Sequence, residues 1–493
     1  MNALKLNGND LTLNDLREVV YQRRPVLLEP HARILVERAW ALSDESIAGE
    51  GNIDALASKT GKPADPPLPE SETRALMLLR ANSLAKGYSG VPPAVIDTLC
   101  EMLNRAVHPL ILSPGLAEPS REMEPLAQLV LTMIGQGEAV LEGKRLTASE
   151  AFRQAGIAPL ETESIKTASL ANNGAQALLA TGTLALLAAD TLVDSADVIA
   201  ALALDALQGT EAAFDERIHK ARPHAGQIRT AANLRRMLEG ENEIRKSRQE
   251  HGKVRNAYSL CCVPQVHGAV RDTLEHCRQV LEIEMNSAVD DPLIFPAPKQ
   301  VGAPQTPGGQ PVQGEIIFGG NLHSQPLAFV LDFLAIALAA LAGISQRRIE
   351  QMVQPKEGSP VFAASEAGLN FGLMMVQTAA ALVCENQTLA IPASVDSMPE
   401  NGNKEDQVPT QAAAANKLRK VVDNTRAILA LEALTAAQAL DSLLPLRTSK
   451  RGQQAQTLIR TVAARVENGR VLATDIERVS ALIAEEKLAA ILW

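Results

Sequence analysis

Aromatic side chains are scarce in this chain: 3% of 493 residues, with two Trp and three Tyr. With 46% of residues hydrophobic, the core must be filled largely by Ala and Leu, whose small or straight side chains favour helices. Cysteine is scarce too. Cys100, Cys261, Cys262, Cys277 and Cys384 are odd in number and follow no pair-and-pair spacing. That argues against a disulfide framework and against a zinc site, so no metal is expected. Positive charge is outweighed, 47 Lys and Arg against 57 Asp and Glu, for a net charge of −10. Nucleic acid and anionic membrane are thereby disfavoured as main partners. The nearest basic patch, Arg217 to Arg255, is interrupted by Glu239, Glu241, Glu243 and Glu250 and has no aromatic to stack on a base. A small-molecule substrate or ligand is the expected partner. Met1 to Gly8 lacks the apolar stretch of a secretory signal, so a cytoplasmic protein is expected.

Two stretches test the exclusion of membranes. Thr167 to Ala189 carries no charge, yet contains Asn172, Asn173, Gly174, Gln176, Thr181 and Thr183. Unpaired amides in lipid are costly. Leu327 to Gly343 is equally apolar but carries Asp332. Both are read as helices buried within a large helical protein.

What is present is helical periodicity, broken by polar loops. Thr12 or Asn14 caps a short helix, and a longer one covers His31 to Leu42. Residues 43 to 70, rich in Gly and Pro, read as a loop or flap. Helix resumes at Ser71, turns tightly at Lys86–Gly90, and restarts after Pro92. Further helices cover Leu129 to Gly137, Thr147 to Gly156, Ile165 to Leu207, Pro326 to Val353 and Gly368 to Leu389. Residues 285 to 325 and 392 to 409 read as irregular. The fold class is mainly α, a long central helical bundle. The expected division is 1–207, an N-terminal lobe, and 208–493, the central bundle with a C-terminal helical region. Seven polar loops break off from apolar helices: 82–90, 115–127, 172–176, 255–268, 284–292, 319–326 and 394–408. Loops at the ends of buried helices often converge on one cavity, within a subunit or between subunits.

Several of these loops carry motifs. Leu78–Val91 (LLRANSLAKGYSGV) and Ala257–Gly268 (AYSLCCVPQVHG) closely resemble signatures of the histidine and phenylalanine ammonia-lyase family. Glu282–Leu293, Gly319–His323, Ile344–Arg348, Ser394–Pro399 and Phe214–His219 are similar to further blocks of that family, in the same order. The resemblance covers nearly the whole chain. It implies a mainly helical protomer of the aromatic amino acid ammonia-lyase type, and a homotetramer whose sites each draw residues from three subunits.

The resemblance also implies a chemistry, from which this chain departs. Those lyases build an electrophile, a methylidene-imidazolone ring, by cyclising and dehydrating an internal Ala-Ser-Gly. The matching residues here are Pro119-Ser120-Arg121, followed by Glu122 where the family has Asp. Ser120 is retained, but the third position must attack through a tightly bent backbone, which suits Gly rather than Arg121. Pro119 stiffens the first. The ring is therefore not expected, and no cofactor with it. The family's lid Tyr is also missing: 43 to 70 has none, and the chain holds only Tyr21, Tyr88 and Tyr258. Cys261 stands where the family has an Arg that grips the substrate carboxylate.

By the same resemblance Tyr258 matches a Tyr beside the ring, Glu405 a Glu near the substrate amine, and Asn173 with Gly174 an Asn-Gly pair close to both. These three are the candidate catalytic residues. Candidate substrate-binding residues are Ser120, Arg121, Arg255, Cys261, Asn321, Leu322 and Lys404, the cations offering charge to an anionic substrate. Each has a structural reading as well. Asn173 bridges buried helices, Tyr258 is a bonded core tyrosine, Glu405 is a solvated loop residue, and His267 and His323 are structural.

Positioned acid–base groups supply roughly 10²–10⁴-fold, against the roughly 10⁶-fold or more that enzymes achieve. Without the electrophile, the leading expectation is a lyase-like enzyme performing elimination, isomerisation or cyclisation of a small anionic metabolite with Tyr258 as acid or base. The alternatives are a catalytically silent homologue that binds a metabolite or partner, and a true histidine or aromatic amino acid ammonia-lyase with an atypical electrophile.

Overall fold

The computed structural model describes residues 1–43, 66–113, 124–161, 174–248, 256–297, 313–354, 366–400, 405–409, 411–467 and 472–493. The chain is mostly helical, as its composition predicts. It divides into two compact units, each discontinuous in sequence: 1–184 with 279–330 and 393–416, and 185–278 with 331–392 and 417–493.

In the first unit the local signals act where they stand. Thr12 caps the helix Leu13–Gln22: its hydroxyl accepts the Asp15 N–H at 3.1 Å while Asp15 accepts the Thr12 N–H at 3.1 Å. That reciprocal box satisfies two backbone donors at once. The predicted His31–Leu42 helix forms as Pro30–Trp40, capped by Glu29 with Pro30 at its first position. Helix resumes at Glu70 and runs to Ala85, and Pro92 caps the next, Pro93–Asn104. Thr147 and left-handed Gly156 bound Ala148–Ala155. Glu70–Ala85 has no polar face: from Glu72 to Ala85 every residue is buried, the charged ones included.

Strands are short, three to five residues, and the sequence reading missed them. Leu4–Leu6 pairs in parallel with Val26–Leu28, and Val107–Pro109, Glu138–Leu141 and Lys144–Thr147 form an antiparallel sheet. Two of the stretches expected to be irregular contain hairpins. Leu293–Pro296 pairs with Gly314–Ile317, and Ser397–Glu400 with Glu405–Pro409. Four residues hold only two turns of a period-two pattern, too few to stand out against flanking Pro and Gly.

The second unit is built from helix on helix. Its apolar contacts include Ala342, Val383 and Ile428, from helices Gln325–Val353, Glu366–Leu389 and Gln411–Asp441. Gln325–Val353 is long and apolar enough to cross a membrane by length and composition alone, but 61% of its most apolar window is buried inside the protein. Asp332, charged and buried on that helix, meets Lys417 Nζ at 3.5 Å. Paired burial of this kind is what a helix-on-helix core requires.

Candidate active site

The first unit joins four of the seven polar loops through side chains that bond to distant backbone. Arg80, fully buried near the end of Glu70–Ala85, reaches Asp290 at 2.7 Å, and Ser89 donates to the other oxygen of that carboxylate. Asn82 accepts the Gly8 N–H at 3.0 Å and donates to the Met285 carbonyl at 2.9 Å. Ser83 donates to Ser287 O at 3.1 Å, and Lys86 Nζ to Asn286 O at 2.7 Å. Burial lowers the Lys86 ammonium below its ordinary value. Between these contacts the chain turns through Gly87 (φ +80°), where a Cβ would lie 2.8 Å from Leu35 Cβ. Glycine is required there twice over, by conformation and by space. Loop 82–90 is thus clamped to loop 284–292.

From there the connection runs outward. Asp291 accepts the Gly319 N–H at 2.7 Å, and Asn321 donates to Ala288 O at 3.2 Å. Next to Asn321, Leu322 is exposed, and His323 turns back toward the hairpin of Glu405. His323 Nε2 lies 3.1 Å from Gln407 O, and Nδ1 lies 3.3 Å from the Gln325 N–H. A carbonyl only accepts and an amide N–H only donates, so Nε2 is the donor and Nδ1 the acceptor in this arrangement. Gln325 Nε2 then donates to Ser394 O at 3.0 Å. His323 therefore ties loop 319–326 to the strand Glu405–Pro409, where Glu405 pairs with Glu400 across the hairpin.

The same unit carries the described flanks of loop 115–127. Gln128 accepts the Leu112 N–H at 2.7 Å, Ser113 bonds Asn416 at 3.2 Å, and Thr181 donates to Glu72 at 2.9 Å. Gly174 (φ +116°) precedes Gln176, whose buried amide oxygen has no hydrogen-bond partner among the described residues. Ser120, Arg121 and Asn173, like Arg255 and Lys404, lie outside the described residues. On chemistry alone Pro119-Ser120-Arg121 does not suit ring closure. Ser120 has the hydroxyl to lose, but the attacking nitrogen of Arg121 carries a substituted α-carbon where the bend favours glycine.

In the second unit, Tyr258 opens the four-residue helix Tyr258–Cys261 and is 72% exposed. It is not the bonded core tyrosine of the structural reading. Cys261, three residues along the same sequence block, is half-buried with its thiol beside that of Cys262. Behind this turn stand two buried charge clusters. Arg348 holds Glu432 through both oxygens (2.5 and 2.8 Å), Ser345 adds a bond at 2.5 Å, and Arg348 Nη1 reaches the Ser259 carbonyl at 3.5 Å. Arg347, by contrast, makes a surface pair with Glu350.

The other cluster centres on Asp197, which is fully buried. His267 Nδ1 meets it at 2.8 Å, Arg271 at 2.6 Å and Asn233 at 2.8 Å; Arg271 also holds Asp194 at 2.6 Å. Burial pushes the Asp197 carboxyl up, but Arg271, His267 and Asn233 outweigh it and hold the acid below its usual range. Burial lowers His267. The pair is therefore a neutral imidazole donating to a carboxylate, and His267 is structural, as its plainer reading has it. Sequence reasoning missed Asp194 and Asp197 as anchors, and Asp190, which meets Arg278 at 2.6 Å. Their signal was present: Asp190, Asp194, Asp197 and Asp205 are the only charges from Gln176 to Ala206, the first three at near-helical spacing.

Residues 49–463 match the family model for aromatic amino acid lyases. The chain is 53% identical to a histidine ammonia-lyase of Koribacter versatilis (strain Ellin345), over 99% of each chain. It is 42% identical to a histidine ammonia-lyase of Anaeromyxobacter sp. (strain K), over 98% of this chain and 99% of that one. Among solved structures it resembles histidine ammonia-lyase from Trypanosoma cruzi, with a TM-score of 0.86 and 30% identity, covering 100% of this chain and 95% of that one. It also resembles tyrosine aminomutase from Streptomyces globisporus, with a TM-score of 0.83 and 29% identity, covering 99% and 98%.

Proposed function

From the premise that this chain belongs to the aromatic amino acid lyase family, we propose that it eliminates ammonia from histidine or an α-amino acid of similar shape. One observation carries the reading: 53% identity along 99% of both chains with a protein named histidine ammonia-lyase. It favours a working lyase over a silent homologue. In this reading Tyr258 exchanges the β-proton, Glu405 attends the departing amine, and Asn173 orients the substrate. Cys261 in place of a carboxylate-gripping Arg leaves that charge to be met by Arg255 or Lys404. Assembly as a homotetramer is part of the proposal. The exposed Tyr258 supports it, as do Phe329, Phe333 and Ile336, exposed at helical spacing along Gln325–Val353.

A second reading rests on Pro119-Ser120-Arg121. If these residues stay an ordinary peptide, acid–base groups alone fall short by two or more orders of magnitude for an unactivated amino acid, taking roughly 10⁴-fold against roughly 10⁶-fold. The protein would then eliminate, isomerise or cyclise a small anionic metabolite with a more acidic proton or a better leaving group.

Two measurements separate the readings. Intact-protein mass reveals whether residues 119–121 have lost two waters, the signature of cyclisation and dehydration. Ammonia release from L-histidine reveals the activity, and Tyr258→Phe should lower it at least 10²-fold. Ammonia released by the wild type and retained by Tyr258→Phe removes Tyr258 from its role. An unmodified mass with no ammonia from histidine ends the first reading in favour of the second.

A further inference from the structure

Two consecutive cysteines close the turn that begins at Tyr258. Cys261 ends the helix Tyr258–Cys261, and Cys262 (φ −98°, ψ 12°) interrupts it before Val263–Met285 begins. Neighbours in an unbroken helix point about 100° apart and do not face each other. Here the interruption brings Cys261 Sγ and Cys262 Sγ to 3.8 Å, with both residues half-buried rather than sealed in the core. The other thiols differ: Cys100 and Cys277 are buried and pushed up to about 12 by that burial, and Cys384 is exposed.

A direct S–S bond suits this pair badly. Adjacent Cα atoms stand about 3.8 Å apart across a trans peptide, short of the roughly 4.4 Å at which disulfides begin to be unstrained. A third atom placed between the sulfurs widens the ring and removes that conflict. The centre must be soft, since thiolates select soft partners. It must also be content with two sulfurs, because among the described residues no cluster of three or more His, Cys, Asp or Glu could hold a metal ion.

We infer that Cys261 and Cys262 form a chelating dithiol for trivalent organoarsenicals, at the turn that presents Tyr258. With phenylarsine oxide the balance is simple. Two As–S bonds form, two S–H bonds break, and the oxide oxygen leaves as water with both protons; arsenic stays trivalent. Burial and the neighbouring thiol raise the Cys262 thiol above its ordinary value, so the protons leave with the oxygen rather than beforehand.

The test uses the full-length protein, phenylarsine oxide and intact mass. Wild type and Cys384→Ser should each gain one phenylarsenic group that survives excess monothiol and is stripped by 1,2-ethanedithiol. Cys261→Ser and Cys262→Ser lose chelation, and apparent affinity should fall by roughly 10²–10⁴-fold. Cys261→Ala, which keeps a helix-favouring side chain, gives the same readout should serine disturb the turn. A wild type without a monothiol-resistant adduct, or single-cysteine variants that bind as tightly as wild type, would overturn the assignment.

Discussion

Arg80 shows how a single side chain can tie together stretches far apart in sequence. It is fully buried, and its 2.7 Å pair with Asp290 spans 210 residues of sequence. Breaking such a pair by removing one partner strands the other charge away from water, at a cost of about 3–5 kcal/mol. Arg80→Leu should therefore lower unfolding free energy by that amount in a urea titration at neutral pH. Asp290→Asn should cost a similar amount, because it leaves the Arg80 guanidinium buried without its counter-charge. A loss under about 1 kcal/mol for Arg80→Leu would mean that the pair stands free of the clamp between loops 82–90 and 284–292. The sequence displays Arg80 as a charge inside an apolar helix, which announces a buried partner but not its address. Asp290 and Asp291 are adjacent, and only the fold separates their tasks: one receives Arg80 and Ser89, the other the Gly319 N–H.

Among the elements, Glu70–Ala85 and the strand Val107–Pro109 share a buried histidine. Arg74 Nη1 lies 3.0 Å from His108 Nε2 and donates to it, while its remaining bonds go to the carbonyls of Val19, Val20 and Leu103. Burial lowers His108 to about 4, and the charges of Arg74 and Arg23 add to it against the opposing pull of Glu70. The unfolded chain takes up this proton near its ordinary pKa of about 6.5, whereas the folded chain resists until about 4. Stability from this group is thus fully present above about pH 6.5 and is lost as pH falls toward 4, by roughly 3 kcal/mol at most. Urea midpoints of wild type at pH 7 and pH 5 should differ more than those of His108→Gln; equal differences would rule His108 out as the acid-sensitive group. Helices of this kind were readable because caps and punctuation, Thr12, Pro92, Thr147 and Gly156, act within a few residues of themselves. The hairpins around Leu293 and Ser397 were not, since each strand is held by a partner strand rather than by its own periodicity.

For the whole molecule, the family blocks are legible along nearly the full chain, while the site is legible only in parts. Tyr258, Cys261, Asn321 and Leu322 have described places, and Glu405 has a described backbone; nothing in the sequence states their mutual distance. The proposed tetramer makes one clear demand. Phe333 and Ile336 are exposed on Gln325–Val353, and Leu373 is exposed on Glu366–Leu389. Phe333→Asp should convert a tetramer into smaller species by light scattering and reduce activity with it, because burying an unpaired carboxylate at a contact is costly. Unchanged mass in solution would remove this helix from the contact.

The ties that frame loops 284–292, 319–326 and 394–408 share a habit: most end on main-chain carbonyls, those of Met285, Asn286, Ser287, Ala288, Ser394 and Gln407. A peptide oxygen is offered by every amino acid alike. The receiving positions can therefore change identity without loosening the scaffolding, so mutation can rewrite this protein's reactive vocabulary while its grammar stays put.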